Sequence, residues 1–232
     1  MANGWWDNNG AISGCLAAWQ PIGAESLAAS YTNLANPGTY DAAPGTAPTF
    51  TASTGWTFDG STQYLNTGLT PGAGSSCIAR ITVTSSHNGV AVGHFLSWGV
   101  GYWGGGSGPI YIAGNFRFGA TPGGFPFNTV LAHNSTQGYR DAAADGSFLT
   151  AGAAGAAISL GSGGTTNAPF NGKIQAAAVY SGALTGAQIT TLTTLMNALP
   201  VATGQPAAVR GVLIPGMNRD GRRVGASRIG WG

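Results

Sequence analysis

Charge is what this chain has least of: Asp, Glu, Lys and Arg make up 7% of its 232 residues, against about 25% in an average soluble domain. A free monomer with so little surface charge has little to oppose self-association. The composition therefore points to a protein that lives assembled, or to a surface kept polar by Thr, Ser and Asn alone. Glutamate occurs once, as Glu25 in a loop-like stretch. Glycoside hydrolysis needs two carboxylates flanking the scissile bond, and the nearest pair here, Asp141 and Asp145, falls in an expected hairpin. No hydrolase is expected.

Cysteine is nearly absent as well. Cys15 and Cys77 fall in expected strands and read as buried small hydrophobes rather than a disulfide. With His87, His94 and His133 they form no zinc spacing, no G-x-S-x-G elbow is present, and the histidines have no triad context. No metal, cofactor or catalytic residue is expected. No apolar run reaches the length of a membrane span. Met1-Ala-Asn-Gly-Trp-Trp-Asp lacks a basic start and an apolar h-region, so synthesis in a cytoplasm is expected.

What is present is the pattern of a β-sandwich. Short runs with alternating residues, divided by Gly and Pro, are expected as strands at 14–19, 55–58, 63–67, 77–84, 90–98 and 109–118. Residues 21–51, rich in Ala, Pro, Gly, Asn and Thr, read as a long ordered loop. Gly99-Val-Gly-Tyr-Trp-Gly104 satisfies G-x-G-x-x-G formally, but Gly105-Gly-Ser-Gly-Pro109 cannot start the helix that a nucleotide site needs. Tyr102 and Trp103 look instead like an aromatic hairpin tip. An inward-folded tip is the plainer reading, and a sugar-stacking tip that includes Trp98, Tyr102 and Trp103 is the alternative.

The most informative stretch is 170–199. Asn171-Gly172 is a tight-turn pair, and Ile174, Ala176, Ala178 and Tyr180 then alternate on one face of a strand. Thr185 with Gln188 forms a capping box. Ile189, Leu192, Leu195/Met196 and Leu199 follow as one helical stripe that Pro200 stops.

This stretch, with Gly55-Trp-Thr-Phe-Asp-Gly-Ser-Thr-Gln-Tyr-Leu-Asn-Thr-Gly68, Gly138-Tyr-Arg-Asp-Ala-Ala-Ala-Asp-Gly146 and Ile158-Ser-Leu-Gly161, resembles the concanavalin A-like lectin/glucanase superfamily, in particular its laminin-G-like domains. The resemblance runs in order from about Gly14 to Leu199. It implies an all-β, two-sheet antiparallel jelly-roll sandwich with one short C-terminal helix. The glucanases of the superfamily carry an E-x-D-x-E strand, which is missing here. Some laminin-G-like domains bind calcium, but Asp59, Asn66, Asp141 and Asp145 lack the dense alternation of a dedicated loop, and Asp59 fits better as the turn residue of Asp59-Gly60. In its Ala/Gly/Thr-rich style the chain is also similar to virion proteins of tailed bacteriophages.

Flanking the expected sandwich at 13–199 are two arms. Residues 1–12 carry Trp5 and Trp6, which dock either on this domain or on a neighbour. Residues 1–199 hold four cationic side chains against six carboxylates, a net of −2, whereas residues 200–232 hold five against one, a net of +4. That tail mixes Arg210, Arg219, Arg222, Arg223 and Arg228 with Val212, Leu213, Ile214, Met217, Val224, Ile229 and Trp231, too apolar for a solvated tail. It is expected to lie along a partner surface, the other possibility being an added strand of its own sandwich. A nucleic-acid arm would hold fewer apolar residues and more lysine. The function expected is a non-enzymatic virion structural protein, decorating a capsid or tail-associated, with other virion proteins and copies of itself as partners. The alternative is a carbohydrate-binding module on a virion or cell surface, with surface glycans as partners.

Overall fold

The strand-rich pattern folds into two facing antiparallel sheets. The structure, a computed structural model, describes residues 4–95, 97–104, 108–120, 124–147, 152–165 and 167–199. Its elements in chain order are β1 (Cys15–Trp19), α1 (Leu27–Ser30), β2 (Ala43–Thr46), β3 (Thr49–Thr51), β4 (Gly55–Asp59), β5 (Tyr64–Asn66), β6 (Ser76–Val83) and β7 (Gly89–His94). There follow β8 (Trp98–Trp103), β9 (Gly108–Ala113), β10 (Phe116–Phe118), β11 (Phe127–His133), β12 (Gln137–Arg140), β13 (Ala143–Ser147), β14 (Ser159–Leu160), β15 (Asn171–Tyr180) and α2 (Gly186–Asn197). Sheet I has the order β13-β12-β11-β6-β15-β4-β3, with β1 also on β15; sheet II has the order β10-β9-β8-β7-β14-β5-β2. This is a two-sheet β-sandwich with a short C-terminal helix.

The core fills the space between the sheets. Trp19, Trp56, Phe58, Ile81 and Ile174 from sheet I meet Leu65, Val92, Trp98, Val100, Tyr111 and Leu160 from sheet II. Burying each such side chain contributes about 1.5–3 kcal/mol.

A second apolar layer lies on the outer face of sheet I. Ile78 on β6, Val130 and Ala132 on β11, Ala176, Ala178 and Tyr180 on β15 and Ala18 on β1 are covered by Ile189, Leu192 and Met196 of α2 and by Trp5, Trp6 and Ile12. The capping box of α2 forms in both halves: the Thr185 hydroxyl accepts from the Gln188 N–H, and the Gln188 side chain accepts from the Thr185 N–H. At the other end the Arg80 guanidinium donates to the Met196 carbonyl at 2.8 Å, satisfying one of the last-turn acceptors that a helix leaves open.

Three expectations are corrected. Asn171-Gly172 is no turn: both residues lie in β15, with Asn171 opposite Asp59 and Gly172 opposite Phe58. A Cβ on Gly172 would come within 2.2 Å of the Thr82 carbonyl oxygen, so glycine serves close strand approach there. The alternation through β15 also breaks, because a bulge between Ile174 and Ala176 sends Ile174 into the inter-sheet core while Ala176, Ala178 and Tyr180 face outward. Residues 90–98 and 109–118 each split at a turn, giving β7 with β8 and β9 with β10.

Within the stretch 21–51 one side chain makes the densest set of bonds. Asn33, fully buried, accepts from the N–H groups of Ala18, Ala35 and Asn36 and donates to the carbonyls of Leu16 and Thr39. It thereby ties the loop to β1, and α1, β2 and β3 arise within it. Cys15 and Cys77 are both free. They flank β15 on opposite edges, Cys15 opposite Tyr180 and Cys77 opposite Val179. Two strand spacings of about 4.8 Å exceed the Cα separation a disulfide spans.

Candidate functional site

Several of the carboxylates among the described residues serve turns. Asp59 accepts from the N–H groups of Ser61, Thr62 and Gln63 and from the Thr62 hydroxyl. Its slight burial works the other way, but these donors hold its carboxyl down at about 2. Asp41 accepts from the N–H groups of Asn33 and Gly38, and Asp7 from that of Gly4. Asp141 accepts from the Val130 N–H and the Thr129 hydroxyl, fixing the β12–β13 turn in which Asp141 and Ala142 both take positive φ.

Asp145 closes one edge of the sandwich. It accepts from the Tyr111 hydroxyl of sheet II at 2.7 Å and from the Ala120 N–H at 2.8 Å, and it pairs with Arg140 at 3.7 Å. Burial and then the carboxylate push the Tyr111 phenol far above its ordinary range. Asp141 and Asp145 thus flank no cleft between them; each is bound into a separate hydrogen-bond set. Among the described residues no three His, Cys, Asp or Glu side chains gather to hold a metal ion.

The aromatic candidates separate. Trp98 and Tyr102 point between the sheets and are almost wholly buried: Trp98 meets His133 edge to face at 4.8 Å, and Tyr102 meets Phe125 at 5.3 Å and Phe127 at 5.7 Å. Neither ring offers a face to a ligand, and the expected hairpin tip is corrected: Tyr102 and Trp103 lie in β8, with Tyr102 paired to Gly89 and Pro109. Trp103 alone of the three lies on the outer face of sheet II, half-buried and stacked on Phe95 with centroids 5.9 Å apart and planes 5° apart. Gly99 and Gly101 share that outer face of β8 by alternation. No β8 side chain therefore stands between the two rings. A Cβ at Gly101 would come 2.1 Å from the Gly89 carbonyl oxygen, so this glycine floor admits no larger residue. Beneath the pair lie Val90, Ile110 and Ile112.

Phe95 escaped the sequence reading because the residues at 95–97, Phe-Leu-Ser, carry no turn residue of the Gly/Pro/Asn type. Phe118 and Phe125, 47% and 40% exposed, went unmarked because isolated phenylalanines in a strand-rich chain read as core.

Trp5 and Trp6 pack on this same domain. They meet edge to face at 6.1 Å, and the Tyr180 hydroxyl donates to the Trp6 carbonyl at 2.7 Å. Arg210, Arg219, Arg222, Arg223, Arg228 and Trp231 lie outside the described residues.

No protein-family model matches the sequence, and no curated protein sequence does either. Solved structures match in fold. A mutant of HCR/D is 10% identical, with a TM-score of 0.52, 78% of this chain covered and 51% of that one. A mutant of Trypanosoma rangeli sialidase displaying trans-sialidase activity is 16% identical, with a TM-score of 0.50, 79% of this chain covered and 33% of that one. Domain 4 of AbnA, an extracellular arabinanase from Geobacillus stearothermophilus in complex with arabinotriose, is 19% identical, with a TM-score of 0.47, 78% of this chain covered and 98% of that one. The chain spans about a third of the sialidase's length and half of the HCR/D chain's. At these identities the likeness is one of fold, a β-sandwich compatible with a lectin-like jelly roll.

Proposed function

We propose that this chain is a non-enzymatic structural module of a larger assembly, in its most specific form a virion protein of a tailed bacteriophage, capsid-decorating or tail-associated. The observation that supports the reading is where the charge goes. Of the six carboxylates in residues 1–199, five are engaged by turn N–H groups or local side chains, and two of the cations, Arg80 and Arg140, bind backbone carbonyls. A surface so depleted of free charge resists association weakly and suits close packing against neighbours. Asp141 and Asp145, the nearest carboxylate pair in the sequence, are each engaged in a separate hydrogen-bond set, which favours the non-enzymatic reading. Quantitative mass spectrometry of density-banded particles tests the reading. A ratio near one copy per capsid subunit, or a simple fraction of it, supports decoration; a few to a few dozen copies per particle supports a tail component; absence from particles refutes both.

A second reading, a carbohydrate-binding module, is favoured by the Phe95–Trp103 pair, since a half-buried indole is a surface on which a sugar ring can stack. The sialidase mutant displays trans-sialidase activity, which makes glycans the ligand class to try first. In this reading Trp103→Ala abolishes retention on a glycan array while the protein stays folded; unchanged retention refutes it.

A further inference from the structure

The described residues cover the outer face of sheet I over only half its length. On the other half a row of polar residues runs across five strands in register: Thr49, Thr57, Lys173, Thr82 and Asn128. None is fully buried, and Thr49 and Asn128 are exposed. Four strand spacings of about 4.8 Å make the row about 19 Å long. Thr82 donates to the Asn128 side-chain carbonyl, which presents the amide N–H groups of Asn128 outward as donors. Gln175, two residues beyond Lys173 in β15, is about nine-tenths buried, and its Oε1 has no hydrogen-bond partner among the described residues. Such an orphaned acceptor costs about 1–3 kcal/mol.

We infer that this half of the sheet is a binding site for an acidic oligosaccharide, with Lys173 meeting the ligand's carboxylate and the flanking Thr and Asn groups its hydroxyls. Three considerations select the ligand. The row offers neutral hydrogen-bonding groups around one central cation, which matches a hydroxyl-rich chain bearing sparse negative charge. A strip about 19 Å long and two strand residues deep covers well under the roughly 800 Å² per partner of a stable protein interface, so a second copy or a folded protein is too large for it. The surrounding face also keeps a net positive charge, because Lys173 and Arg80, one row away on one side, outnumber Asp59, which stands opposite Asn171 one row away on the other. The inference does not depend on the Phe95–Trp103 reading, which concerns the opposite sheet.

The test is a titration of the full-length, 15N-labelled protein with tetragalacturonate, followed by amide shifts, with maltotetraose as the neutral control. The expected result is saturable shifts at Thr57, Thr82, Asn128 and Lys173 at millimolar ligand, weakened about fivefold or more by Lys173→Gln, by the neutral sugar or by added salt. Trp103→Ala leaves this binding unchanged. Absence of shifts at these amides overturns the inference, as does binding indifferent to Lys173→Gln and to the ligand's charge. Shifts confined to Trp103 and its neighbours also overturn it, while supporting the platform on the opposite sheet.

Discussion

Strands β6, β11 and β15 each run through two different surroundings on the same outer face of sheet I. Toward one end they present Ile78, Val130, Ala132, Ala176, Ala178 and Tyr180, over which α2 and the two N-terminal tryptophans lie. Toward the other they present Thr82 and Lys173, half-buried, and Asn128, exposed, which no helix or arm among the described residues covers. Arg80 stands at the border, opposite Val130 and Ala176, and its bond to the Met196 carbonyl marks where the helix stops. The difference teaches that a sheet face is not a unit of design here. The residue types change partway along each strand, and the helix is as long as the apolar half requires.

The contrast breaks first, and with the largest effect, at Leu192. Leu192→Ala removes a fully buried side chain of the covered half, and urea unfolding should show a loss of about 2–5 kcal/mol. A loss under about 0.5 kcal/mol would mean that the helix is not docked.

Next comes a pH effect inside the sandwich. His133, on the inner side of β11 against Trp98, is pushed down to about 3 by burial. It stays neutral in the folded state but charges below about 6.5 when unfolded. The folded state therefore binds fewer protons, so this contribution is complete above about pH 6.5 and declines as the pH falls toward 3. Between pH 6.5 and 5 the loss should be about 2 kcal/mol. His133→Asn, which keeps an acceptor for the Ser135 N–H, should begin less stable and lack that slope.

A smaller effect belongs to the border. Arg80→Ala should cost about 1 kcal/mol by removing the charged donor to the Met196 carbonyl, which keeps the Leu199 N–H, with Arg80→Lys recovering part of it. The smallest belongs to the uncovered half: Thr82→Val should change stability by no more than about 0.5 kcal/mol. A loss at Thr82 matching that at Leu192 would erase the distinction between the halves.

Much of this arrangement was legible in the sequence. Thr185 and Gln188 announced the helix start, the spacing of Ile189, Leu192 and Met196 announced its buried stripe, and both hold. The hairpin across 138–146 was readable through the family resemblance, and the turn at Asp59 because Asp59-Gly60 meets a backbone demand that is local. What could not be read was non-local. The bulge at Gln175 shifts the register of β15 against β6 with no sequence mark, so the face assigned to Ile174 came out wrong. Asn171-Gly172 has the local chemistry of a turn, yet pairing on both sides keeps it extended. Trp98, Tyr102 and Trp103 looked alike as a loop tip; in a strand they alternate, two inward and one outward.

The division of this face can be measured directly by thiol labelling of Ile78→Cys and Thr82→Cys, two positions on the outward side of the same strand. The native thiols give a quiet background: Cys77 is wholly buried and Cys15 is pushed up to about 12, chiefly by burial. The account expects the thiol at position 82 to react as a solvent-exposed group in the native protein and the one at 78 to react only on unfolding. Equal protection at both positions would show that the polar half is covered, and equal reactivity would show that the helix leaves its half open; either result contradicts the account.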